Sequence, residues 1–170
     1  MLPDNPHFLC TIIRQILKKS GKIKSAVFEL YADTDKDQKL TEKDELVGEI
    51  PEISEGVYQT DGLLYGGYFV KEKTAPEGFK LDENTYYFEI SEDGKIVDVE
   101  NEAGVGFINQ PITGKLELTK TDVADGKPLP NAGFRIKDED GNIVATGVTD
   151  ENGIAIFTLR YGKYTYQEYN

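Results

Sequence analysis

A chain of 170 residues with 38% hydrophobic and 29% charged side chains can hold one large or two small globular domains, and its composition is neither disordered nor collagen-like. The net charge of −12 and the single histidine argue against a nucleic-acid partner and against a histidine-based active site. One cysteine, Cys10, excludes an internal disulfide.

The first twenty residues, MLPDNPHFLCTIIRQILKKS, differ from the rest and contain the only Met, Cys and His. Their apolar run FLCTII is cut by Arg14, too short for a signal peptide or a membrane span, and it suits a short amphipathic helix. No sorting tail is expected at the other end. Arg14, Lys18, Lys19, Lys22 and Lys24 read as a solvated basic run.

From Gly21 onward the pattern is strand and turn. AVFELYA, YGGYFVKE, NTYYFEIS, KIVDVE, GKLELTK, AGFRIKD, NIVATGV, IAIFTL and KYTYQE are short, aromatic or β-branched, and separated by turn signals such as DG, EDG, DENG and PEG. Such spacing predicts an all-β chain, a sandwich or a barrel. The halves repeat: AVFEL matches AGFRI, QTDG matches TDENG, and YGGYFVKE matches YGKYTYQE. The first copy is longer by the polar stretch DTDKDQKLTEKDEL, which reads as a loop extension.

Within that stretch Asp33, Asp35 and Asp37 fall at positions 1, 3 and 5 of a calcium-loop pattern. The glycine of its sixth position is replaced by Gln38 and the bidentate glutamate of its twelfth by Asp44, and a strand precedes it where a helix belongs. Those departures favour a solvated acidic loop without metal, Asp33, Asp35 and Asp37 being weak candidates.

Several polar residues share a face with the core. Strand alternation carries Glu72 inward with Tyr68 and Val70, Glu168 with Tyr164 and Tyr166, Lys120 with Leu116 and Leu118, and Asn109 with Val105 and Phe107. Lysine, glutamate and asparagine on the inner faces of sandwich strands suffice to form an amide. Burial disfavours charge, leaving a neutral, nucleophilic amine and a carboxyl that can donate a proton. The amine attacks the asparagine carbonyl, the glutamate polarises it and passes the proton to the departing ammonia, and the fold supplies orientation worth roughly 7 to 11 kcal/mol. No cofactor is needed.

The linked segments LELTKTDVADGKPLPNAGF, YGKYTYQE, YFVKEKTAPEGFKLDENTYYFEI and GFINQP resemble the CnaB-type, SpaA-like pilin domains of Gram-positive surface proteins. The resemblance covers Gly21 to Asn170 and implies two tandem Ig-like or prealbumin-like β-sandwiches, at 21–112 and 113–170, after a non-matching segment 1–20. The second is expected to lack its closing strand. It further implies Glu72 and Glu168 as catalytic glutamates, Asn109 as the cross-link acceptor of the first copy and Lys120 as the amine of the second. It implies a wall-anchored extracellular stalk module, not an enzyme with an external substrate, whose partners are neighbouring domains of the same protein. The alternatives are an adhesin module binding a host matrix protein or carbohydrate, and an accessory sandwich of a secreted enzyme.

One departure stands out. At the distance before Ala26 that separates Lys120 from Ala132 stands Arg14, so the first copy lacks its lysine. A second reading frame offers one explanation: Thr11 to Lys19, encoded ACA ATT ATA AGA CAA ATA CTG AAA AAA, gives NYKTNTEK from the third base and restores a lysine at that spacing. On that reading Met1 to Lys19 packs poorly, as a helix or loop, and the first strand is misplaced.

Overall fold

The computed structural model describes residues 8–13 (backbone), 26–92, 96–99 and 107–169. They form thirteen strands and, among the described residues, no helix. The chain divides into two compact units, residues 1–110 and 111–170.

In the first unit, one four-stranded sheet has β3 (Glu45–Ile50), β2 (Val27–Ala32), β6 (Gly66–Thr74) and β7 (Thr85–Ile90) side by side. The other orders β4 (Glu52–Ser54), β5 (Val57–Leu63), β1 (Phe8–Ile13) and β8 (Ile96–Val99). Alternation in VFELYA sends Phe28 and Leu30 inward, where they meet Tyr58, Val70, Ile90, Val99 and Phe107 in one core. Phe28 packs edge-on against both Tyr58 and Phe107, centroids 4.8 Å apart in each case. Burying each such side chain contributes about 1.5–3 kcal/mol.

The second unit has a three-stranded sheet of β11 (Ile143–Val148), β10 (Gly133–Lys137) and β13 (Thr165–Glu168), and a pair of β12 (Ile154–Arg160) with β9 (Thr113–Thr119). Phe134, Ile136, Ala155 and Phe157 form its core. The repeat in sequence is a repeat in strand register. Phe28 pairs with Glu72 as Phe134 pairs with Glu168, and Ile13 pairs with Val57 as Thr119 pairs with Ile154. In the first unit β6 is flanked on its far side by β7, and β1 by β8; within the described residues of the second, β13 and β9 each have one neighbour.

Three expectations are corrected. FLCTII is a strand, not a short helix: β1 lies between β5, antiparallel, and β8, parallel, while the rest of Met1 to Lys19, for which poor packing was expected, lies outside the described residues. FLCTII lacks the strict alternation of a half-buried strand, and for so short a run hydrophobic periodicity cannot separate strand from helix. Strands β3, β4 and β5 were not legible, and the acidic loop therefore ends at Asp44, where β3 follows. QTDG is no turn: it lies inside β5, where Gly62 at φ +71° is skipped as the register passes from Leu63 to Asp61, a bulge. The counterpart of the DENG turn is instead the one at Gly56, since Gly56 and Gly153 have φ of +74° and +72° immediately before the paired Val57 and Ile154.

Candidate functional site

Glu72 and Asn109 meet in the first unit. Glu72 is 1% exposed and Asn109 7%. The Asn109 carboxamide Nδ2 donates to Glu72 Oε2 at 2.6 Å and to the Lys80 carbonyl at 3.0 Å. The same Oε2 accepts the Asp82 backbone N–H at 2.8 Å. A buried carboxylate without donors would be strongly unfavourable, so these contacts are what lets β6 carry Glu72 inward. Chemically, the carboxyl lies against the nitrogen that amide formation would expel.

The APEGF segment, whose PEG is a turn signal in the sequence, builds this pocket. Phe79 N–H donates to the Pro76 carbonyl at 3.0 Å, closing a turn, and Lys80 N–H donates to the Gln110 carbonyl at 2.8 Å. That bond lays residues 79–82 alongside the FINQ segment, so Lys80 C=O and Asp82 N–H face the carboxamide and the carboxyl. Sequence reasoning missed both because they act through backbone atoms, which leave no side-chain signature.

Lys120 and Glu168 meet in the second unit. Lys120 Nζ lies 2.8 Å from Glu168 Oε2, with side chains 35% and 36% exposed. Half-open to water, this ion pair contributes about 0–1 kcal/mol. The lysine backbone is held from both sides: its N–H donates to the Gly153 carbonyl at 2.8 Å and its carbonyl accepts the Leu129 N–H at 3.0 Å. A Cβ on Gly153 would stand 2.4 Å from the Lys120 carbonyl oxygen, so only glycine fits that approach. Thr149, also missed, locks the preceding loop; it is buried, donates to the Leu129 carbonyl at 2.7 Å and accepts the Ala132 N–H at 2.9 Å. Leu116, Leu118 and Tyr164 pack on the core as the alternation requires, but Tyr166 is 63% exposed. Within the described residues no strand lies along the free edge of β13 to cover it.

The recurring tyrosine of the YGxY motif has one task in both copies. Tyr68 OH donates to the Leu64 carbonyl at 2.9 Å, and Tyr164 OH donates to the Arg160 carbonyl at 2.8 Å. Each fixes the start of its strand and hence the register of the glutamate four residues further on.

Beside the Glu72 pair, Tyr86 packs on Phe107 at 4.3 Å and donates its OH to Asp82 Oδ2 at 2.7 Å. Burial, then the Asp82 hydrogen bond and charge, push its phenol from the ordinary 10.0 up to about 12. Burial likewise raises Tyr68. A raised folded-state value means that the stability involved is complete below pH 10.0 and is lost as pH rises toward about 12. Urea midpoints should accordingly fall across that window, and Tyr86→Phe should flatten the fall; matching pH profiles for the two proteins would discard the assignment.

Asp33, Asp35 and Asp37 also come together, in the loop between β2 and β3, away from these pairs in the chain. Val105 lies outside the described residues.

A family model described as SpaA: Prealbumin-like fold domain matches residues 13–103 and 114–170. The chain belongs to that family. Its first matched segment begins at Ile13, inside β1, earlier than the boundary at Gly21 read from the sequence. Among solved structures, the Bacillus anthracis TIE protein is 36% identical to this SpaA-family chain with a TM-score of 0.77, over 97% of this chain and 29% of that one. This chain thus spans under a third of that protein's length. A C-terminal fragment of the pilus adhesin SpaC from Lactobacillus rhamnosus GG shares the fold, at 16% identity and a TM-score of 0.53, over 98% of this chain and 76% of that one. No curated protein matches the chain.

Proposed function

We propose that this SpaA-family chain is a structural stalk module of a Gram-positive cell-surface adhesin or pilin, of the type tied internally by Lys–Asn isopeptide bonds. The observation that carries the reading is that each unit places a glutamate at one and the same strand register, Glu72 opposite Phe28 and Glu168 opposite Phe134, against one reactant of that bond. In the first unit the reactant is the acceptor Asn109, at 2.6 Å, and in the second the amine Lys120, at 2.8 Å. Each unit holds a glutamate with a different partner of the same reaction.

On this reading the roles are as follows. Glu72 and Glu168 are the proton carriers, Asn109 the electrophile and Lys120 the nucleophile, with the chemistry directed at the chain itself. The product joins distant strands through an uncharged amide, which suits a rod that must withstand pulling and proteolysis. Among the described residues no helix is long and apolar enough to cross a membrane; the reading places the module outside the cell, carried by the wall-anchored protein of which it is part, with neighbouring domains of that protein as its partners.

Antibodies raised against the 170-residue chain should label intact cells of the source bacterium and follow the wall fraction released by a muramidase. Signal confined to the cytoplasm of lysed cells would rule the stalk reading out.

A further inference from the structure

The loop Asp33 to Asp44 has no part in either glutamate pair, yet its carboxylates converge. Asp33, Asp35 and Asp37 each offer an oxygen within 4.8 Å of the other two. Within the loop Lys36 and Gln38 both adopt left-handed angles, φ +59°. Gln38 thus takes the conformation for which calcium loops use glycine, although the residue itself argued against such a loop.

Convergence alone is compatible with a solvated acidic turn; Asp33 is what points to a ligand. It is 8% exposed. Its Oδ2 accepts the Gln38 N–H at 3.2 Å, while Oδ1 is buried with no hydrogen-bond partner among the described residues. A buried carboxylate oxygen lacking a donor is unfavourable, and a cation within the cluster to which that carboxyl belongs would satisfy it. The rim already attracts positive charge: Lys43 Nζ lies 2.9 Å from Asp35 Oδ2. Asp44 is occupied otherwise, accepting the Thr34 N–H at 3.1 Å and the Thr41 N–H at 2.7 Å, and so it ties the ends of the loop together.

We propose that the β2–β3 loop binds a calcium ion through the carboxylates of Asp33, Asp35 and Asp37. All three donors are hard oxygens, and the loop offers neither imidazole nor thiolate, which excludes the softer metals. An irregular loop suits the flexible coordination of calcium better than the strict octahedron of magnesium. Without a bidentate glutamate, affinity belongs at the weak end, with a Kd on the order of 10⁻⁴ to 10⁻³ M, the range of extracellular modules.

The test is calorimetric titration of the whole chain, stripped with chelator, with CaCl₂ and separately with MgCl₂. One saturable calcium site per chain is expected, weakened about tenfold or more by Asp33→Asn or Asp35→Asn. Asp35 is exposed, so its variant reads the site even if Asp33→Asn impairs folding. Lys43→Ala should tighten binding several-fold by removing the competing ammonium, a gain that a merely structural loop would not show. Absence of saturable heat up to about 10 mM CaCl₂, well above the expected range, overturns the proposal. So does binding indifferent to both Asp35→Asn and Lys43→Ala, or equal affinity for MgCl₂.

Discussion

Replacing Arg14 with lysine should yield a protein lighter by one ammonia than its sequence requires, and much harder to unfold. The basis is strand register. Ile13 pairs with Val57 as Thr119 pairs with Ile154, and the next residues in the chain are Arg14 and Lys120. Glu72 and Glu168 occupy matched positions opposite Phe28 and Phe134, and Lys120 reaches Glu168 at 2.8 Å. Continuing that register by one residue would give a lysine at position 14 the same address with respect to Glu72, which already holds Asn109. Its Nζ would attack Asn109 Cγ; the C–N bond forms, the bond from Cγ to Nδ2 breaks, and Glu72 relays the proton from Nζ to the departing ammonia. Arginine cannot substitute, because a delocalised guanidinium stays protonated and is no nucleophile. Wild-type chain should therefore show its full sequence mass.

A cross-link from position 14 to Asn109 closes a loop near a hundred residues long, which restricts the unfolded chain by roughly 4–5 kcal/mol. At roughly 4–8 °C per kcal/mol for a domain of this size, the melting temperature should rise by about 20 °C or more. Intact mass under denaturing conditions and a thermal scan read both effects. Adding Glu72→Gln should abolish the mass loss, and an unchanged mass in Arg14→Lys alone would refute the assignment of Glu72 and Asn109. The alternative frame of codons 11–19 makes the corresponding prediction for a frame-restored gene.

A synthetic peptide with the sequence VGFINQP should become covalently attached to the second unit of this chain. Lys120 and Glu168 stand ready at 2.8 Å, about a third exposed, and β9 and β13 each have a free edge within the described residues. Free edges present unpaired backbone groups on which an extended peptide can add as a strand. In the first unit the same segment sends Phe107 against Phe28, and the second unit offers Phe134 at the matching register. Lys120 Nζ would then displace ammonia from the peptide asparagine, with Glu168 carrying the proton. The adduct should weigh the sum of chain and peptide less one ammonia, survive denaturation, and disappear in Lys120→Ala and Glu168→Gln. No adduct at millimolar peptide, or one that persists without Lys120, would show that the half-open pair is not organised for reaction.

Much of this was determined by the sequence alone. Two periodicities, alternation within strands and the repeat between halves, put Glu72 and Asn109 on inner faces and matched Glu168 to Glu72, because a strand has only two faces and a repeated motif repeats its register. Counting along the chain put Arg14 at the spacing that Lys120 has in the second copy, and the residues just before each, Ile13 and Thr119, share one strand register. Other features were decided only in three dimensions. FLCTII carries no alternation, so its strand character depends on β5 and β8 on either side. The bulge at Gly62 hid β5 behind what looked like a turn, since a single skipped residue has the composition of a loop. Lys80 and Asp82 support the Glu72 pair through backbone atoms, to which side-chain chemistry gives no clue. Lastly, Gln38 adopts a glycine-like angle and Asp33 is buried with an oxygen to spare. Residue identity argued against a cation there; backbone conformation and burial, which tertiary packing sets, argue for one.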